Sequence, residues 1–123
     1  MKRSELKRRL ESLPRYQFIL LSGCSLVMRG LRDETDDIDI CVSEALAKEL
    51  KVYDRKPDEH GIYHLPNKID VIVGMQRVNC EIVDDYLCER LEDVLKFKER
   101  RNLSKDRRDI ELIEEYFTQQ GRS

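Results

Sequence analysis

Three aspartates, Asp37, Asp39 and Asp70, and one turn, Ser22-Gly23-Cys24-Ser25, are the residues whose types and spacing could do chemistry. Asp37 and Asp39 alternate with Ile38, Ile40 and Val42, the period of two that marks a strand. Both carboxylates therefore leave the same face while the isoleucines enter the core. Two adjacent carboxylates repel each other unless a cation sits between them. Asp70 lies in a later apolar run, Lys68 to Gly74, where Ile69, Val71 and Val73 share one face and Asp70 and Ile72 the other. If the two strands are neighbours, three carboxylates converge. Such a set can hold one or two Mg²⁺ (or Mn²⁺) ions, at the roughly 3.5–4 Å spacing of two-metal sites. The turn follows the apolar run Phe18–Leu21. Gly23 lets the backbone approach closely, and Ser25 is expected to cap a short helix whose first N–H groups face a bound anion. A phosphate-binding turn beside a carboxylate set for divalent metal is the equipment of phosphoryl or nucleotidyl transfer.

The elements that must position these groups can be read along the chain. Leu6, Leu10 and Leu13 recur at helical spacing over residues 2–12, and Pro14 ends that helix. Tyr16 to Leu21 is expected to be the first core strand, Ser25 to Arg29 a short helix closed by Gly30, and Leu31 to Asp36 a loop. Within that loop Arg32 is expected to balance Asp33 and Glu34. After the Asp37–Val42 strand, Ser43 caps a helix over Glu44 to Leu50. Lys51 to Arg55 and Gly61 to Leu65 read as two strands of a hairpin around the turn Lys56–His60, with His60 and His64 on its surface. Val78 to Val83 reads as one more strand. Two helices complete the chain. The first, Leu91 to Arg101, aligns Leu91, Val94, Leu95 and Lys98, so Lys98 points toward the fold. The second is capped by Ser104 and packs through Ile110, Ile113 and Phe117, with Asp106 and Asp109 on the same side. Lys98 can serve there either to neutralise phosphate charge or to form an interior salt bridge to Asp106 or Asp109.

Composition bounds the classes of function. The chain has 123 residues, enough for one modest core, and is expected to form a single domain. Hydrophobic residues make up 40% and charged residues 39%, with a formal charge of −2, which gives no bulk drive toward nucleic acid or an anionic membrane. No apolar run approaches the roughly 20 residues that span a bilayer, and the charged N-terminal stretch lacks a signal-peptide core. The expected compartment is the cytoplasm. Cys24, Cys41, Cys80 and Cys88 form no C-x-x-C pair and lie away from most histidine, so buried free thiols are expected rather than zinc ligands or disulfides.

The runs Gly23-Cys24-Ser25, Gly30-Leu31-Arg32 and Thr35-Asp36-Asp37-Ile38-Asp39 resemble the signature of the polymerase-β-like nucleotidyltransferase superfamily, in particular its small stand-alone bacterial members. The resemblance covers Tyr16 to Phe117. It implies an α/β (α+β) fold, a small mixed sheet with flanking helices and two C-terminal helices. It implies that Gly23 and Ser25 bind phosphate, that Asp37 and Asp39 bind metal, and that Asp70 is the third carboxylate and base. Lys98 and the run Lys105-Asp106-Arg107-Arg108-Asp109 match a lysine and a Lys-Asp-x-x-Asp helix start found in the small members. Two positions depart from the pattern. Cys24 stands where those proteins usually carry Gly or Ser, and Leu103 replaces an arginine just before the Lys-Asp pair.

The resulting expectation is a metal-dependent nucleotidyltransferase that moves a nucleoside monophosphate from an NTP to an acceptor hydroxyl or phosphate. The expected acceptor is a small molecule, a protein or RNA. The alternative is a non-catalytic module of the same fold that binds a nucleotide or a protein partner, for example as half of a toxin–antitoxin pair. Cys24, Leu103 and the small size favour that alternative, and the intact Asp37, Asp39 and Asp70 set opposes it.

Overall fold

A computed structural model describes residues 1–121. The elements run α1 (Arg3–Leu10), β1 (Phe18–Leu20), α2 (Ser22–Met28), β2 (Ile38–Val42), α3 (Glu44–Glu49), β3 (Tyr63–Leu65), β4 (Ile69–Val73), β5 (Cys80–Val83), β6 (Tyr86–Glu89), α4 (Leu91–Arg101) and α5 (Arg107–Gln119). Six strands form one mixed sheet in the order β3-β4-β2-β1-β6-β5. The α/β class expected from the sequence is what the chain adopts.

Alternation along the strands decides which side chains meet the core. Ile38, Ile40, Val42 and Val71 face a cluster with Leu6 and Leu10 of α1, Cys24, Val27 and Met28 of α2, and Leu46 and Ala47 of α3. Asp39 and Asp70 leave the sheet by the other face, as a period of two demands. A second cluster joins Leu26 of α2 to Leu91 and Val94 of α4 and Ile113 of α5. Helix α2 is therefore buried along its whole length. It ties the sheet to the two C-terminal helices, and those helices need it to cover their apolar stripes.

Several expected elements take other forms. Residues Lys51 to Arg55 form no strand. Lys51 adopts a left-handed backbone, and Val52–Asp54 is a single 3₁₀ turn that drops Val52 into the core. The hairpin partner of β3 is instead β4, around Pro66-Asn67-Lys68, where Asn67 and Lys68 both have positive φ. That shorter connection wins because the turn chemistry sits at 66–68. Strand β1 is shorter than expected, since Tyr16 sits at φ 69° and keeps the chain from extending earlier. Strand β6 was not expected at all. The hairpin β5–β6 turns on Asp84 and Asp85, both at positive φ, in place of the glycine that usually marks such a turn. Ser104 opens a 3₁₀ turn rather than capping α5, and the residue at the cap is Asp106, whose carboxylate is committed elsewhere. Ser43 caps α3 as expected, its Oγ accepting from Leu46 N–H at 3.1 Å.

Candidate functional site

Strands β2 and β4 are parallel neighbours in a register that sets Asp39 directly beside Asp70. Parallel neighbours lie about 4.8 Å apart, so the two side chains share one small patch of the sheet. Asp39 shares a hydrogen bond with Asp70, and its pKa is pushed up to about 6. Burial is the largest cause, followed by the charges of Asp70 and Asp37; the field of Lys98 acts weakly the other way. Asp37 stands immediately before β2, within reach of Asp39 electrostatically. Among the described residues no group of three or more His, Cys, Asp or Glu is arranged to hold a metal ion as it stands. The donors still fit a hard divalent cation in kind, since all are carboxylate oxygens. Burial is the main reason that Asp39 is raised, and a cation there would relieve only the smaller part that comes from the charges of Asp70 and Asp37. Seating one requires exchanging the Asp39–Asp70 hydrogen bond for coordination.

The turn lies beside this pair. Leu21 N–H donates to the Asp39 carbonyl at 2.9 Å, so the end of β1 is stitched to the start of β2. Ser22, at φ 45°, reverses the chain into α2. Its amide donates to Glu89 Oε1 at 3.1 Å, so a carboxylate already occupies the first N–H of that helix. Burial pushes the Glu89 carboxyl up. Gly23 sits at a close approach: a Cβ there would come within 2.9 Å of Arg32 Nη1 and 3.3 Å of Thr35 Oγ1, so it would displace the guanidinium. Ser25 lies inside α2 rather than at its cap. Its fully buried hydroxyl donates to the Ser22 carbonyl at 2.6 Å and shapes the turn from within.

Cys24, at the position that departs from Gly or Ser, makes two hydrogen bonds of its own. Its Sγ donates to the Asp37 carbonyl at 3.1 Å and accepts from Asp39 N–H at 3.4 Å. The thiol thus bridges the turn to the backbone that carries both aspartates. Burial pushes its pKa up to about 12, so it is a packing group and not a nucleophile. Cys41 and Cys88 are buried as expected, whereas Cys80 is only half-buried, and all four thiols are free.

Lys98 points inward, as the stripe on α4 predicts, and is 3% exposed. Its Nζ lies 3.2 Å from Asp106 Oδ1 and 3.1 Å from Asp109 Oδ2. Arg32 Nη1 pairs with Asp109 at 2.9 Å rather than with Asp33 or Glu34. Arg101 grips both oxygens of Asp106, at 2.9 and 2.5 Å, and holds that carboxyl below the usual range. The result is a ladder, Arg32–Asp109–Lys98–Asp106–Arg101, with three cations and two anions. Its two ends are the partly exposed guanidiniums, and its field reaches Asp39 through Lys98.

Sequence reasoning missed Glu89, Arg101 and His64. Glu89 lies on the unforeseen strand β6. Arg101 carries no pattern of its own, although its place one turn after Lys98 on α4 was a signal. His64 faces Asp70 across the β3–β4 pair, which was invisible while residues 61–65 were paired with 51–55. Two surface grooves, of about 400 and 680 Å³, lie at Asn79, Cys80, Arg90, Glu92 and Asp93, and between the 31–34 loop and Lys105, Arg108, Asp109 and Leu112. Neither includes Asp37, Asp39 or Asp70. No helix among the described residues is long and apolar enough to cross a membrane. Comparison with family models, with curated proteins and with solved structures finds no match to this chain.

Proposed function

We propose that the chain is a metal-dependent nucleotidyltransferase of the polymerase-β-like kind. The observation that carries this reading is the parallel register that sets Asp39 beside Asp70 at the strand-to-helix turn containing Gly23. Asp37, Asp39 and Asp70 would hold Mg²⁺ or Mn²⁺, which when bound supplies charge neutralisation for a triphosphate and for an attacking hydroxyl. Asp70 would orient the acceptor and take its proton. Gly23 keeps the turn open to a phosphate, and Ser25 holds that turn in shape through the Ser22 carbonyl. Lys98 acts at a distance, through the net positive charge of its ladder, whose partly exposed ends Arg32 and Arg101 are each already paired with an aspartate and add to the field an anion would meet. The work of these residues is positioning and charge compensation.

A thermal-shift measurement tests the reading. Protein with an NTP and Mg²⁺ or Mn²⁺ should melt higher than protein with either alone, by the linkage of ligand to the folded state, about 2.7 kcal/mol at a hundredfold excess over Kd. Asp39→Asn should remove the gain. An equal response in wild type and Asp39→Asn would refute the metal site.

The second reading, a non-catalytic module that binds a nucleotide or a protein partner, is favoured by one observation. Lys98 and Ser25, which the resemblance assigns to phosphate, are both turned inward and already bonded within the chain. A shift with NTP that is indifferent to metal would support it.

A further inference from the structure

His64 stands opposite Asp70 in the antiparallel β3–β4 pair. Its Nδ1 lies 2.7 Å from Asp70 Oδ1 and its Nε2 2.9 Å from Asp58 Oδ2. Asp58 is itself fixed, because its Oδ1 accepts from the backbone N–H groups of His60 at 2.8 Å and Ile62 at 3.0 Å. Its own N–H donates to the Ile62 carbonyl at 2.8 Å. A chain of hydrogen bonds thus runs from the 58–62 turn, through an imidazole, to the carboxylate pair on β2 and β4.

The geometry matters because the terminal torsion of an aspartate is soft and takes a broad range of angles. A carboxylate held by one oxygen loses that freedom only if its partner is also held. Here the ring is gripped at both nitrogens and cannot turn without losing a bond. We propose that His64 is a positioning residue for Asp70: by engaging Oδ1 it fixes the carboxylate plane and leaves Oδ2 uncommitted to the imidazole, for a divalent cation that would displace the Asp39–Asp70 hydrogen bond. This rests on the metal-dependent reading above. The clamp also couples the 56–61 loop to the site, so a ligand that moves that loop would move Asp70.

Two roles for His64 predict opposite signs. If it were only a nearby positive charge, its removal would tighten cation binding. If it positions Asp70, its removal weakens binding, and the loss of such an outer partner is typically about 10-fold or more in metal affinity. The experiment is calorimetric titration of the full chain with Mn²⁺ alone, in wild type, Asp39→Asn, His64→Ala and His64→Asn. The side chain is 57% exposed, so neither His64 substitution should compromise folding, and melting temperatures check this. His64→Ala is expected to raise the Mn²⁺ Kd about 10-fold. His64→Asn, whose amide nitrogen can take the place of Nδ1, should recover most of the affinity, which a purely structural or purely electrostatic role would not produce. Unchanged or tighter binding in His64→Ala, or equal losses in both variants, would overturn the proposal while leaving the metal site standing. Wild type that binds no Mn²⁺, or binds it as well as Asp39→Asn does, would remove the metal site and this proposal with it.

Discussion

Asp106 and Asp109 are 2% and 5% exposed, yet each faces two cations, whereas the less buried Asp39 and Asp70 face each other. The same residue type thus serves two ends in one small chain. Buried carboxylates at the α4–α5 junction are matched by Lys98, Arg32 and Arg101, because a charge taken out of water must be compensated on the spot. Among the described residues, the carboxylates on β2 and β4 have no basic side chain in contact except His64, on Asp70 alone. Charge compensation that the fold completes for itself is structural; compensation left open at a surface is what the proposed metal-dependent reading assigns to a bound cation.

Breaking the ladder should have the largest effect. Lys98→Met leaves two buried carboxylates short of a partner and should cost about 3–5 kcal/mol. At several degrees per kcal/mol, calorimetry should show a melting temperature lower by roughly 10 °C or more. A change within about 1 °C would mean that Lys98 is not structural.

The carboxylate pair should respond in the opposite direction. Asp39 has a folded pKa raised to about 6 against an ordinary 3.8, so the folded state binds the proton more tightly than the unfolded chain. Stability from this group is therefore present at low pH and is lost as pH rises between about 4 and 6, by about 2 kcal/mol after allowance for partial exposure. Asp39→Asn should abolish that part of the pH profile. It should also make the protein more stable than wild type at pH 7 in the absence of metal, as urea unfolding at several pH values would reveal.

Smaller effects sharpen the contrast. Cys24→Ala removes the thiol that links the Asp37 carbonyl to the Asp39 amide and should cost about 1 kcal/mol. In native protein the buried thiol should resist iodoacetamide, with Cys80 alkylated first. Arg8→Ala breaks only an exposed pair with Glu5 and should change stability by less than about 0.5 kcal/mol.

How much was legible in the sequence differs between the two regions for physical reasons. The alternation around Asp39 and around Asp70 is local, so both strands and the outward direction of their carboxylates could be read directly. That β2 and β4 are neighbours is a matter of sheet order, which needed the structure. The inward turn of Lys98 followed from helical spacing, but the place of Arg32 did not, because a contact across 77 residues leaves no local trace, whereas Arg101 lies one turn from Lys98 on the same helix and its signal was local. The false hairpin at 51–65 came from pairing residues 61–65 backward across Lys56–His60, although Pro66-Asn67 also reads as a turn, because two neighbouring turn signals do not say which pair of strands closes. Positive φ at Asp84 and Asp85 is carried by residues other than glycine, and that reversal was hidden for that reason.

The claim at the centre of this account is that the open carboxylates, and not the paired ones, receive a divalent cation. Paramagnetic broadening of backbone amide signals by substoichiometric Mn²⁺ tests it most directly. Asp84 and Asp85 serve as an internal control, being exposed aspartates already paired with Arg3, Lys7 and Arg15. The account predicts broadening centred on the amides of Ile38, Asp39, Asp70 and Val71, with Asp84 and Asp85 little affected and the effect lost in Asp39→Asn. Broadening spread over all exposed acidic residues alike, or unchanged by Asp39→Asn, would contradict it.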